Sequence, residues 1–264
     1  MQLYHIDAFT DAAFSGNPAT VCFLPTMRED TWLQQMAEEI NHPATAFVAP
    51  APKKGYHIRW YSPKAEIGLC GHASLATAHA LFFHGHESPE SEVILFPRKG
   101  QLTLKAVQEG QYEMNFPAIL CEATTIPATL EKALGEKVLA SAKHPGGYWI
   151  LELENEAAVQ NLHPNRNALV SVGKHSFIAT SQAMANSPFD IVSRVMVTYT
   201  GYHEDQVTGS AHCCLAPYWT VKLAKTTLEA FQASARGGRM QLELAGDRVL
   251  VRGKAVTLSE MEGT

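Results

Sequence analysis

Apolar and polar residues alternate at period two along most of the chain, in short runs closed by Gly, Pro, Asn or Asp. The alternation predicts strands at Leu3–Phe9, Ala19–Phe23, Thr45–Val48 and His57–Tyr61, all rich in β-branched or aromatic residues. It continues at Glu92–Phe96, Gln101–Val107, Tyr112–Phe116, Trp149–Leu153, Ala168–Val172, His175–Ala179 and Ser193–Tyr199. Met240–Leu244, Arg248–Val251 and Ala255–Leu258 complete the set, with Gly246-Asp247 and Gly253-Lys254 read as turns. Helical spacing is rarer. Glu29–Ile40 gathers Trp32, Leu33, Met36 and Ile40 on one face behind acids in the first turn. Leu130–Ala133 and Glu156–Leu162 predict short helices.

Two further helices have a different character. Ala73–Phe83 is apolar on nearly every side and stops at Gly85, and Ala211–Leu223 is similar except that Pro217 should kink it or mark its true first turn. A helix apolar all round must be surrounded, and with so many strands available the expectation is a curved sheet wrapped around each.

An internal repeat agrees with two such wrapped helices. Tyr61-Ser62, Glu66 and Cys70-Gly71-His72-Ala73 match Tyr199-Thr200, Glu204 and Thr208-Gly209-Ser210-Ala211 at an offset of 138 residues, just ahead of both apolar helices. Duplication of one lobe predicts lobes at 1–115 and 116–252, with 253–264 as a segment that returns to the first. A pseudo-twofold relating the lobes would turn the two helix starts toward one another.

Composition narrows the function classes. Apolar residues make up 46% of the 264 and charged residues 18%, a globular balance. The net charge of −5 comes without a basic stripe, so no nucleic-acid partner is expected. No apolar run approaches the roughly 18 residues of a membrane span, so no membrane partner is expected either. The alternating N-terminus, without a basic-then-apolar leader, favours a cytoplasmic location. The five cysteines, odd in number and with adjacent Cys213-Cys214, read as small buried apolar residues, and the twelve histidines form no ligand set, so no metal is expected. Dinucleotide, P-loop and nucleophile-elbow motifs are all missing, so no cofactor is expected, which suits proton transfer better than redox or phosphoryl chemistry.

The candidate chemistry lies at the two helix starts. Gly71 and Gly209 would let a ligand approach the backbone where the first helical amides point outward with partial positive charge, a cradle for a carboxylate or a developing oxyanion. The candidate binding positions are Asn17, Gly71, Ala73, Thr208, Gly209, Ser210 and Ala211. The candidate acid/base residues are His72 and Asp205. Asp205 has an equal reading as a turn-holding or capping residue, Ser210 as a cap, and His72 as a ring held by neighbouring backbone. Glu66 and Glu204, matched by the repeat, suggest a structural task common to both lobes.

Taken together, Ile6-Asp7-Ala8-Phe9, Gly16-Asn17-Pro18, Tyr61-Ser62-Pro63, Leu69-Cys70-Gly71-His72-Ala73 and Glu204-Asp205-Gln206-Val207-Thr208-Gly209-Ser210-Ala211-His212 resemble the PhzF family of cofactor-free isomerases from phenazine biosynthesis. The resemblance runs nearly end to end, with Gln206 where proline is usual. It implies an α+β, diaminopimelate-epimerase-like fold: two pseudo-symmetric lobes, each a mostly antiparallel barrel-like sheet around a central helix, with the site between them. It implies an isomerase moving a proton on a small carboxylate-bearing metabolite, and a homodimer is the ordinary assembly for such an enzyme. Two positions depart from the expected chemistry. The epimerase's paired thiols correspond to Cys70 and Thr208, which disfavours a two-thiol racemase. The family's acid/base glutamate, in Ser-Glu-Thr-Ala-Phe or similar, corresponds to Ala44 in Pro43-Ala44-Thr45-Ala46-Phe47. Either His72, Asp205 or His42 has taken over the proton, or the chain is a catalytically silent binding protein, or the alanine is an engineered replacement.

Overall fold

A computed structural model describes residues 1–108, 110–199 and 203–263. The chain divides into two compact units, Met1–Phe116 with Leu250–Thr264, and Pro117–Val249. Thr200, part of the sequence repeat, lies outside the described residues.

The first unit contains β1 (Gln2–Ala8), β2 (Asn17–Phe23), α1 (Asp30–Ile40), β3 (Ala44–Pro50), β4 (Tyr56–Tyr61), β5 (Glu66–Ile67), α2 (Gly71–Phe83), β6 (Glu92–Phe96), β7 (Leu102–Gln108) and β8 (Gln111–Pro117). The second contains β9 (Glu122–Ala123), α3 (Ala128–Leu134), β10 (Ala140–His144), β11 (Tyr148–Glu152), α4 (Glu156–Gln160), α5 (Arg166–Val172), β12 (Ser176–Gln182), β13 (Ile191–Val197), β14 (Glu204–Asp205), α6 (Gly209–Leu223), β15 (Thr227–Gln232) and β16 (Gly238–Ala245). The final strand, β17 (Arg248–Glu262), belongs almost wholly to the first unit.

Strand pairing closes the first unit into an eight-stranded barrel, β17-β1-β2-β3-β4-β6-β7-β8 and back to β17. β2–β3 and β4–β6 run parallel, and each needs a helix to cross over: α1 for the first, α2 for the second. α2 passes inside and α1 lies outside. Every residue of α2 from Gly71 to Phe82 is buried, packed against β1, β2, β3 and β7. α1 sets Leu33 and Ala37 onto Leu3, Cys22, Phe47 and Tyr61. β3 is therefore covered on both faces and is buried from Ala44 to Ala49, an unbroken apolar run apart from Thr45.

The second unit repeats the order. Among the described residues β11–β12 and β13–β15 pair parallel, β9–β10, β10–β11, β12–β13, β13–β14 and β15–β16 antiparallel, and α6 takes the place of α2. Leu130, Leu134, Val159, Leu162 and Leu169 of the outer helices and their connections pack on Trp149, Leu151, Phe177 and Met196. The α+β class is thus present, with one barrel-like sheet around one central helix in each unit. Among the described residues no helix is long and apolar enough to cross a membrane.

Several elements differ from the sequence expectation. Ala168–Val172 is helical, not extended: the Asn165 side chain accepts from the Ala168 N–H at 3.1 Å and starts α5, and Gly173 ends it. Strands β10 and β15 are not among those expected: β10 buries only Ala142, and β15 ends on a buried Gln232 beside a half-buried Phe231. Gly253-Lys254 is no turn, because β17 runs straight through it. Gly253 is there for space: a methyl group on it would lie 2.7 Å from Phe9 Cδ1 and 2.9 Å from Leu75 Cδ2. Pro217 neither opens α6 nor stops it. The carbonyl of Cys213, which its missing N–H would have served, accepts from the Ile119 N–H at 3.0 Å instead. The last turn of α6 also emerges from its sheet, with Val221 80% exposed.

Gly253→Ala is expected to lower the unfolding free energy by about 1–3 kcal/mol through overpacking. Urea denaturation of the two proteins measures it, and unchanged stability would mean that Phe9 and Leu75 do not press on β17.

Candidate active site

In the first unit the strand register brings the predicted positions to one end of the barrel. Ala19 of β2 is level with Ala44 of β3, so Asn17 and Ala44 both lie where this parallel pair begins. Thr45 is level with Tyr61, and Trp60 with Ile67, so the chain leaves β5 toward Cys70 and Gly71 at that same end. Asn17 and Ala44 are fully buried, and His72 and Cys70 nearly so. Gly16 fixes the entry to β2. Its φ of 67° is left-handed, and a methyl group there would fall 2.2 Å from the Ala8 carbonyl oxygen. Asp7, fully buried, accepts from the Phe14 N–H at 2.8 Å and so ties down the loop that delivers Asn17.

α2 begins at Gly71, with Cys70 as an extended N-cap. His72 stands in the first turn, its Nδ1 3.6 Å from Cys70 Sγ, which places a thiol and an imidazole in contact at the helix start. The other polar side chains of this turn and the next are directed back into the helix. Ser74 Oγ donates to the Cys70 carbonyl and Thr77 Oγ1 to the Ala73 carbonyl, both at 2.7 Å. His42 lies two residues before Ala44, with its Nδ1 2.9 Å from Thr20 Oγ1.

The second unit builds the same feature with different side chains. α6 begins at Gly209 after an extended Thr208. The Thr208 hydroxyl donates to Asp205 Oδ2 at 2.7 Å. Gln232, fully buried on β15, accepts from the Thr208 N–H at 2.8 Å and donates to the Asp205 carbonyl at 2.7 Å. Of its alternative roles, Asp205 therefore makes the turn-holding contact. Ser210 is the second helical residue, not the cap. Its side chain hydrogen-bonds to Tyr148, whose phenol pKa is driven up by burial while the Ser210 bond opposes the shift. Tyr148 opens β11 level with Ser176, which begins β12, so the second helix start also lies where a parallel pair begins. Ala211 is buried on α6, as Ala73 is on α2.

Glu66 and Glu204 perform the common structural task. Arg59 of β4 donates to Glu66, and Arg194 of β13 clamps Glu204 with Nε at 2.7 Å and Nη2 at 2.8 Å. Each pair braces the short hairpin that launches a central helix. The register also corrects the repeat. Glu66 faces Tyr61, whereas Glu204 faces Met196, so β4 and β13 correspond at an offset of 135 while β5 and β14 and the helix starts correspond at 138. The β13–β14 connection is three residues longer, and Tyr199 is not the counterpart of Tyr61.

The description "PhzC-PhzF: phenazine biosynthesis-like protein" matches residues 6–261. The chain belongs to the PhzC-PhzF family. A Halalkalibacterium halodurans relative, named an uncharacterized isomerase, is 40% identical over 98% of this chain and 97% of its own. A crystal structure of a PhzF-family protein from Enterococcus faecalis has a TM-score of 0.91 and 34% identity, covering 100% of this chain and 98% of that one. A Pseudomonas aeruginosa protein described as a predicted epimerase has a TM-score of 0.78 at 18% identity, over 99% and 98% of the two chains, a likeness of fold alone.

In this PhzC-PhzF chain, sequence reasoning passed over Arg59, Arg194, Gln232 and Tyr148. The two arginines were hidden by the uniform 138 offset, and shifting the strand by three aligns them. Gln232 and Tyr148 carry no local signal, because only folding brings β15 and β11 to the start of α6. Among the described residues no group of three His, Cys, Asp or Glu is placed to hold a metal ion.

Behind the helix start, His212 is completely buried. Its Nδ1 lies 2.8 Å from the Thr208 carbonyl and its Nε2 3.3 Å from Ser193 Oγ. Burial lowers its pKa to about 4, and burial together with the nearby His84 lowers that of His79 on α2 to about 4 as well. Below pH 6.5 the unfolded chain takes up protons that these rings decline. Their stability is therefore complete above pH 6.5 and lost as the pH falls toward 4, at up to roughly 1.4 kcal/mol per ring per pH unit. His212→Asn is expected to flatten that slope relative to wild type in chemical denaturation between pH 7 and 4. Parallel slopes would mean that His212 is protonated in the fold.

Proposed function

We propose that this PhzC-PhzF chain is a cofactor-independent isomerase that moves a proton on a small carboxylate-bearing metabolite. The observation that carries this reading is the twice-built helix start. In each unit a glycine opens a buried helix at the end of the sheet where a parallel pair begins, braced by an Arg–Glu pair. The amides of such a first turn have no acceptor within the helix, and they suit a carboxylate or the oxyanion that forms when an adjacent carbon loses its proton. Asn17, Gly71 and Ala73 in the first unit, with Thr208, Gly209, Ser210 and Ala211 in the second, are the proposed binding positions. His72 and Asp205 are the proposed proton carriers, and the Cys70 thiol beside His72 fixes its ring. The isomerase name of the Halalkalibacterium halodurans relative points the same way.

A silent binding protein is the second reading, and two specific observations favour it. Ala44 offers only a methyl group where the family resemblance implies a glutamate, and Asp205 Oδ2 already accepts the Thr208 hydroxyl.

Exchange of solvent deuterium into carboxylic acids that bind the protein, followed by NMR, separates the two readings. An isomerase incorporates deuterium at carbon, and Ala44→Glu is expected to raise the rate by about 10²–10⁴-fold, the usual contribution of a positioned general acid/base. Rapid exchange in wild type that Ala44→Glu slows would assign the proton to another base. No exchange in either protein by any acid that binds would leave the silent reading. Gly209→Val is expected to abolish binding of these acids with little change in the thermal melt. Undiminished affinity would place the ligand elsewhere.

A further inference from the structure

After β8 the chain runs along α6 before β9 begins. The Ala118 N–H donates to the Asp247 carbonyl at 2.8 Å, and the Ile119 N–H fills the Cys213 carbonyl left open by Pro217 at 3.0 Å. Two residues on from that 3.0 Å bond, the side chain of Cys121 lies beside that of Cys214, the residue after the gripped carbonyl, and each thiol bears on the other's ionisation. Cys214 Sγ also lies 3.7 Å from the Ser210 carbonyl one turn back. The pair straddles the surface: Cys214 is buried, Cys121 is partly exposed, and its neighbour Leu120 is 68% exposed.

We propose that Cys121 and Cys214 are a redox pair, oxidised by peroxide to a reversible disulfide that clamps the 118–121 segment onto α6. The two thiols are unequal in the sense this chemistry needs. Cys121 is the thiol that peroxide can reach, whereas Cys214 is buried, points its S–H at the Ser210 carbonyl and is held as a thiol by burial. Cys121 attacks the peroxide: an S–O bond forms, the O–O bond breaks, and hydroxide leaves with the two electrons that sulfur gives up. Cys214 then attacks the sulfenic sulfur. The S–S bond forms, the S–OH bond breaks, and the departing hydroxide takes the Cys214 proton and leaves as water. The remaining cysteines are poor competitors for Cys121. Cys22 is buried in the first barrel, and burial pushes its thiol up to about 12. Cys213 is equally buried and raised to about 12, with its thiol aimed at the Gly209 carbonyl at 3.4 Å. Cys70 is buried against His72.

The test treats the reduced full chain with one equivalent of hydrogen peroxide, then counts thiols, weighs the intact protein and maps cross-linked peptides. The expected result is loss of two of the five thiols, a mass lower by two hydrogens, a Cys121–Cys214 linked peptide, and full reversal by dithiothreitol. Cys213→Ser should keep the cross-link, whereas Cys121→Ser and Cys214→Ser should both abolish it, with thermal melts confirming that each variant is folded. Three outcomes would overturn the proposal: five surviving thiols, Cys121 driven on to sulfinic acid beside a reduced Cys214, or a disulfide between other cysteines.

Discussion

Each unit is organised by the enclosure of a helix that has no polar side. Once a helix is sealed inside a sheet, the polar groups it carries have to find partners within the sealed space, and the chain supplies them in several ways, the Thr220 hydroxyl on α6 being an exception. Ser74 and Thr77 return their hydroxyls to carbonyls four residues back on α2, and the Cys213 thiol does the same on α6. His79 spends its two ring nitrogens on Tyr112 and Thr257, and His212 spends its own on Ser193 and the Thr208 carbonyl. Both rings stay neutral because burial makes charging them costly. The start of each helix, the place where backbone amides run out of internal partners, is left as the part with chemistry to offer. Architecture and candidate site are thus two results of one requirement.

Parallel pairing follows from the same enclosure. Two parallel strands cannot be joined by a tight turn, so each unit carries one crossover through its interior and another over its outer face. The outer helices cover β3 and β12, which are buried along most of their length. The braces Arg59–Glu66 and Arg194–Glu204 sit where the chain leaves the sheet to become the inner helix. Arg194 also donates to the Gln160 and Leu162 carbonyls, so its guanidinium joins the β13–β14 hairpin to the layer of short helices outside. One side chain therefore couples the inner helix start to the outer layer, which arginine's fixed fork of donors makes possible.

Much of this was legible in the chain itself, for physical reasons. Period-two alternation of residue type is strong in β8, whereas in β15 burial alternates just as regularly but the types at its end do not follow it, since Gln232 is buried and Phe231 only partly so. The Ala168–Val172 segment looks β-prone from its valines and leucine, yet an Asn165 side chain bonded to the Ala168 N–H decides for helix. Gly253-Lys254 has the composition of a turn, but the glycine answers to Phe9 and Leu75, residues distant in sequence. The two helix starts were visible because glycine, the neighbouring small residues and the apolar run behind them are contiguous. The partners that hold the start of α6 were not, since Gln232 and Tyr148 reach it from β15 and β11. Asp205 shows the limit most clearly. Its type and position allowed both a base and a turn-holder, and the contact that the Thr208 hydroxyl makes with it is a product of the fold.

The seam between β1 and β17 has consequences for how the protein is made. Ile6 pairs with Thr257 and Ala8 with Ala255, so β1 is made long before the strand it pairs with. Throughout synthesis of the intervening chain the first barrel is an open sheet with β1 and β8 as two bare edges, each able to recruit a strand from another nascent copy. The second unit, continuous from Pro117 to Val249, needs no such return and is free to complete itself earlier. Closure by β17 is thus a late step of long loop length, slow for entropic reasons. Chains arrested or clipped shortly before residue 250 would carry one finished unit and one adhesive half-barrel, which makes the C-terminal strand the part of the molecule on which its solubility during biogenesis turns.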